Sequence, residues 1–328
     1  MVINNAADAV TVRTSCQTVG NLTLGINVSE SINLDGLRVI QGSFKNNVCF
    51  LNQPCIFPAP FSLSSTTLEM ITGDFLLTGI NGLRDILFPK LVKINGSIDF
   101  ERMNDLVTLD ITKLSSVESF QLTAPNLTSL RHEGLTEAPY GVNIFAAGLE
   151  SLDSFYQNAI PVQRSYALIT VDRVPNLKKL TVGWPIVHDI SIRQPIILTL
   201  GGPNTTSMSI DLIEMAGGAS GLERGANIRN LTVGSFSASG TRFNHLKVSF
   251  DRLSNFSLVL DDTVQTMELS PEAVNWEDLG LHISNCRNLK LSSQFTQNDR
   301  GGQTQIWYWP HKDMKVIDIS ADLGTDFL

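Results

Sequence analysis

A pattern L-x-x-I-x-G-x-[FI] recurs three times in this chain: as Leu37, Ile40, Gly42 and Phe44, as Leu68, Ile71, Gly73 and Phe75, and as Leu91, Ile94, Gly96 and Ile98. The copies start 31 and then 23 residues apart, and a degenerate fourth starts 23 residues further on at Leu114 and Val117, with Ser119 in the glycine's place. Periods of this size mark solenoids, in which each repeat buries its apolar face only against its neighbours. The repeat contains no nucleophile, acid–base group or metal ligand, so it constrains architecture and not chemistry.

Within a copy, apolar residues alternate with a period of two, which is the strand signal. A glycine at a fixed offset predicts a sharp corner or a positive φ, which glycine adopts without steric cost. A second pattern, apolar-Pro-x-Leu, occurs at Phe88–Leu91, Ala124–Leu127 and Val174–Leu177. Proline has no N–H to give to a ladder and belongs in a turn or at a strand start. The expected fold is therefore mainly β, a right-handed parallel β-solenoid with few short helices, for which residues 142–157 and 211–224 are the candidates. At about 24 residues per circuit the chain predicts roughly a dozen coils stacked about 4.8 Å apart. Residues 1–15 read as a disordered or vector-derived N-terminus. Residues 16–328 read as one continuous solenoid, with two lobes, 16–160 and 161–328, as the alternative.

The formal net charge of −8 and pI near 5.1 argue against a nucleic-acid partner, which favours a basic face. No apolar run is long enough to predict a membrane span. No secretory leader and no lipid-anchor signal is read in the chain, so membrane attachment is expected only through a lipid anchor encoded outside it.

Seven N-x-[ST] sequons begin at Asn21, Asn27, Asn95, Asn126, Asn204, Asn230 and Asn255, where 24 Asn and 55 Ser or Thr predict about 4 by chance. In Asn21-Leu-Thr, Asn126-Leu-Thr and Asn230-Leu-Thr a strand would turn the leucine inward and the asparagine and threonine outward. Cys16, Cys49 and Cys55 cluster near the N-terminus, with Cys286 far from them. A Cys16–Cys49 or Cys49–Cys55 disulfide would staple the first coil; four reduced cysteines are the alternative. There is no C-x-x-C, the five histidines are scattered, and neither a metal nor any other cofactor is expected.

Parallel β-coils include polysaccharide-cleaving enzymes, so carboxylate pairs need weighing. Asp99 and Glu101 flank Phe100 and would share the outward face of a strand. Asp261 and Asp262 read as a turn after Leu260. The Asn-Thr-Asp, Asp-Asp and Gly-His-Gly signatures of pectin-hydrolysing β-helices are not matched. His132-Glu133-Gly134 lacks the second histidine of a zinc helix, and Gly201-Gly202, Gly217-Gly218 and Gly301-Gly302 read as turns. No catalytic constellation is expected. Trp307 and Trp309 form either a carbohydrate-stacking pair or a C-terminal cap over the last coil.

Phe88 to Phe100, read as a whole, resembles the receptor L-domain, the leucine-rich-repeat-like coil of insulin and growth-factor receptors, and Cys16 resembles that family's opening cysteine. Four cysteines leave no room for the cysteine-rich module that follows it in animal receptors. The chain is more similar to the fungal members, the lipid-anchored cell-wall glycoproteins of the extracellular-mutant and sporulation-specific type. The match is good over residues 16–130 and loose beyond about 180. The resemblance implies a non-enzymatic extracellular glycoprotein that contributes to cell-wall organisation, with wall polysaccharide or a surface protein as partner. A peptide- or glycan-binding ectodomain is the first alternative and a polysaccharide-active β-helix enzyme the second.

Overall fold

The computed structural model describes residues 1–26, 28, 30–47, 60–149, 152, 168–216, 221–241, 245–248, 252–260, 266–269, 280–284, 288–292, 305–309 and 316–320, with side chains described as far as Ala238. The chain is mainly β, and its parallel sheets wind as a solenoid of about nine turns with one short helix among the described residues. The count falls below a dozen because some circuits are longer than the shortest repeat. The circuit that leads from Phe44 to its in-register neighbour Phe75 is one of them. By compactness the chain divides into Met1–Arg164 with Asp172–Leu177, and Ser165–Val171 with Lys178–Leu328.

The described circuits of the first unit have three sides. One circuit runs through the strand Phe75–Thr78, a corner, the strand Leu83–Leu87, a second corner at Phe88–Leu91, the two-residue strand Lys93–Ile94, and a third corner at Asn95–Ser97. Stacking is in register: Ile98 lies on Phe75, Ile94 on Ile71 and Ile86 on Leu63. Phe75, Leu77, Ile80, Leu83, Ile86, Phe88, Leu91 and Ile94 of this one circuit are each at most 1 % exposed. Inward side chains thus fill the coil, and each is worth about 1.5–3 kcal/mol of transfer free energy. Phe75 lies at the centre of an aromatic column, parallel to Phe44 at 4.9 Å and edge-on to Phe100 at 4.8 Å.

The leucines of both patterns close turns. Leu37 N–H donates to Leu34 O, Leu91 to Phe88 and Leu114 to Ile111 at one corner; Leu106 donates to Met103, Leu127 to Ala124 and Leu177 to Val174 at another. The apolar-Pro-x-Leu copies therefore belong to two corners of the coil. Pro89, Pro125 and Pro175 each take the second turn position, where their fixed φ fits and no donor is required.

The glycines of the repeat mark the third corner, as expected, but none has a positive φ; Gly36, Gly79, Gly82, Gly134, Gly141 and Gly201 do. Close approach between circuits is the cause. A Cβ on Gly42 would lie 2.1 Å from Asn21 Oδ1, and one on Gly96 would lie 2.2 Å from Asp74 Oδ1 and 3.0 Å from the Gly73 carbonyl.

Residues 1–15 are neither disordered nor an appendage. Val2–Ile3 adds a parallel strand beside Leu22–Leu24, and Ala6–Ser15 is a ten-residue helix. Asn5 Oδ1 accepts the Asp8 N–H as N-cap, while Asp8 Oδ2 accepts the N–H of Asn4. Ala9 and Val12, each 1 % exposed, turn inward where the first circuit has no neighbour. The described parts of 142–157 and 211–224 depart from the expected helices as well. Val142–Phe145, Ser207–Met215 and Gly221–Arg224 are strands, because stacking in register outweighs a weak local helix preference.

In the second unit the largest sheet holds Leu168–Val171, Ile186–Ile192, Ser207–Met215, Asn230–Thr241 and Arg252–Leu260, all parallel. Lys179–Val182, Ile197–Leu200 and Gly221–Arg224 form a second sheet. Each of the three long strands Ile186–Ile192, Ser207–Met215 and Asn230–Thr241 has two successive non-buried residues at its bend: His188 and Asp189, Asp211 and Leu212, Gly234 and Ser235. The third corner has lost a residue there, so two sides of the coil run on as one strand. This explains why the repeat pattern loosens beyond about 180.

Candidate functional site

The third corner of the first unit carries a ladder of side chains. Asn21 Oδ1 accepts the Ser43 N–H at 2.8 Å, Ser43 Oγ accepts the Asp74 N–H at 3.1 Å, and Asp74 Oδ1 accepts the Ser97 N–H at 2.9 Å. Ser119 Oγ then donates to Ser97 Oγ at 2.8 Å. Each polar side chain in the place after the glycine, or its equivalent, satisfies a donor of the next circuit. The run Gly42-Ser43, Gly73-Asp74, Gly96-Ser97 is the sequence signal for it. In the second unit His188 Nδ1 meets Asp211 Oδ2 at 2.6 Å at the equivalent bend, and this contact, aided by Asp189, holds the imidazole pKa above its ordinary value.

Of the sequon asparagines, Asn21, Asn95, Asn126, Asn204 and Asn230 are exposed, while Asn27 lies outside the described residues. Asn255 sits in the strand Arg252–Leu260. Leu22, Leu127 and Leu231 turn inward as expected, at 0 %, 2 % and 1 % exposure. Thr23 is on the expected outward side of its strand, between the inward Leu22 and Leu24, but is covered there by its row neighbours. It is 9 % exposed, with Val2 and Lys45 as its in-register neighbours on either side. Asn126 lies in a turn and not on a strand. Its Nδ2 donates to Asn104 O at 2.8 Å.

Cys16 closes the helix as its C-cap and carries a free thiol, so it does not staple the first coil; the helix covers that end instead. Cys49, Cys55 and Cys286 lie outside the described residues. Trp307 and Trp309 are on the strand Gln305–Trp309, in register with His282 and Ser284. A further strand, Val316–Ser320, follows it in the chain.

Asp99 and Glu101 do share the non-buried face of the strand Ile98–Glu101. Their row neighbours in register are Leu76 and Gln121 beside Asp99, and Thr78 beside Glu101. Burial and, secondly, the Glu101 charge push the Asp99 carboxyl above its usual range, and its buried Oδ1 has no hydrogen-bond partner. Phe145 lies on the same sheet, in register with Thr123, and the Arg173 guanidinium stands 5.1 Å from its ring centre. This face can accept hydrogen bonds from a hydroxyl or amide ligand. Asp261 and Asp262 lie outside the described residues.

Glu133 is engaged in an ion pair with Lys113 of the preceding circuit, which accounts for the charge beside His132. Gly201 has φ +101° and the Gly202 N–H donates to Thr205 Oγ1, a turn as expected. Gly217, Gly218, Gly301 and Gly302 lie outside the described residues. Among the described residues no group of three or more His, Cys, Asp or Glu side chains is placed to hold a metal ion, and no helix is long and apolar enough to cross a membrane.

Comparison of the chain with family models, curated proteins and solved structures finds no match.

Proposed function

We propose that this chain is the solenoid body of a secreted or cell-surface glycoprotein that contributes to fungal cell-wall organisation as a non-enzymatic structural or recognition surface. The observation that carries this reading is the exposure of every sequon asparagine whose side chain is described, five in all, on a scaffold whose inward residues are committed to packing. Sugars at such positions are accommodated without entering the core. The resemblance of Phe88 to Phe100 to the receptor L-domain supplies the wall and lipid-anchor components of the proposal.

The test is fractionation of the native cells. Recovery of the protein in the wall or membrane-anchored fraction, shifted in mass by endoglycosidase, is expected; an unglycosylated cytosolic protein overturns the reading. The buried, unpartnered oxygen of Asp99, a residue on the non-buried face of its strand, favours a ligand-binding ectodomain as the second reading. For that reading, an array of peptides and glycans probed with wild type and with Asp99→Asn distinguishes a specific face from a passive one.

A further inference from the structure

The exposed sequon asparagines do not use their amides alike. Asn21 Oδ1 is bound to the Ser43 N–H, and its amide packs so closely on Gly42 that a Cβ there would be 2.8 Å from Asn21 Cγ. Asn126 commits its Nδ2, the atom that would carry a sugar, to the Asn104 carbonyl one circuit away. Asn95, Asn204 and Asn230 are exposed, and none of their side chains takes part in a hydrogen bond or ion pair among the described residues.

We infer that the structure divides these sequons: Asn95, Asn204 and Asn230 are sites of N-linked oligosaccharide, and Asn126 is a framework amide that stays unmodified in the folded protein. The inference rests on the extracellular reading above. In the modification, the amide Nδ2 forms a bond to C1 of the sugar, the C1–oxygen bond to a lipid pyrophosphate carrier breaks, the lipid pyrophosphate departs, and the amide loses one proton. Transfer precedes folding, so the fold acts as a filter. A sugar on Asn126 replaces one of the two Nδ2 hydrogens and crowds the side of that nitrogen held against the Asn104 carbonyl, so the bond between circuits survives only if the other hydrogen is the one replaced. A sugar on Asn95 breaks no side-chain hydrogen bond among the described residues.

The test is to secrete the full chain from a glycosylating eukaryotic host behind that host's own leader. Folded protein is then treated with an amidase that converts each sugar-bearing Asn to Asp in heavy-oxygen water, and the sites are read by mass spectrometry. Occupancy above half at Asn95, Asn204 and Asn230, and below a tenth at Asn126, is expected. Occupied Asn126 in folded protein, or three empty free sites, overturns the division. Because the leader forces entry, this result is independent of the native compartment, which the fractionation decides separately. A second readout uses unglycosylated protein: Asn126→Ala lowers the urea midpoint and Asn95→Ala leaves it unchanged. Equal midpoints for the two overturn the framework role.

Discussion

Replacing Gly96 by alanine separates two explanations for the repeat's glycine, conformational freedom and close approach. The added Cβ would lie 2.2 Å from Asp74 Oδ1 and 3.0 Å from the backbone C and O of Gly73. The carboxylate can rotate away, but the Ser97 N–H then loses its 2.9 Å acceptor. A part-buried donor left unmet costs about 1–3 kcal/mol. The Gly73 backbone cannot rotate away. It can yield only by stretching the Gly96 N–H bond to Gly73 O, already 3.2 Å long. Together these place Gly96→Ala at about 2–4 kcal/mol of destabilisation.

Two other glycines calibrate that figure. Gly79 has φ +62° and nothing within 4 Å of a built Cβ, so Gly79→Ala incurs only the left-handed strain of about 1 kcal/mol. Gly20 has neither constraint, and Gly20→Ala is neutral or stabilises by about 0.4–1 kcal/mol by restricting the unfolded chain. Urea unfolding followed by circular dichroism, compared at constant slope, measures all three. In an Asp74→Ala background the increment from Gly96→Ala must shrink, since the closest clash is gone. A Gly96→Ala cost no larger than that of Gly79→Ala, or an undiminished cost in the double variant, would refute close approach as the reason for the glycine.

Phe75→Ala empties the centre of the aromatic column and should cost about 3–5 kcal/mol in the same unfolding assay, against well under ~1 kcal/mol for the outward Leu76→Ala. Asp99→Asn should stabilise the protein at pH 7 by up to about 1 kcal/mol, a figure held low because water still screens the carboxyl. The folded pKa lies above the unfolded value, so ionisation opposes folding as pH rises past 3.8, and the advantage of the variant should vanish below that pH. For His188 the folded pKa is raised by Asp211, so its contribution is fully present below the unfolded value of 6.5 and is lost as pH rises through the folded one. NMR titration should place the His188 transition above 6.5 in wild type and return it toward that value in Asp211→Asn.

The solenoid is legible in the sequence because Ile40, Ile71 and Ile94 stack in register, and in-register stacking preserves a period. The apolar-Pro-x-Leu turns are legible too, but not their assignment to two corners, because both corners impose the same turn geometry and hence the same residues. The N-terminal helix escapes a reading of the sequence because only Ala9 and Val12 need to face the coil. Two small apolar residues do not make a helical stripe, and their role depends on an open coil end that only the fold reveals. The strands Val142–Phe145 and Ser207–Met215 escape it because their stability comes from neighbouring circuits. The glycine's role is hidden for a related reason. Positive φ is a local property, whereas the approach of Asp74 to Gly96 joins one circuit to the next.

The same division bears on where function can reside. Inward positions are held by packing on the circuits above and below, and the third corner is held by a ladder that runs from Asn21 to Ser119. A substitution at either place is transmitted to the neighbouring circuit and lowers stability. Non-buried strand positions carry no such obligation, so a residue there that opposes folding needs another explanation. Asp99 is such a residue: it leaves a buried oxygen unmet and faces the charge of Glu101, while the adjacent row position, occupied by Leu76, shows that an apolar side chain fits the same surface. If Asp99→Leu is more stable than wild type and equally competent in every binding assay, the carboxylate is an uncompensated liability. If it is more stable and loses binding, the stability forgone at Asp99 locates the face on which this coil acts.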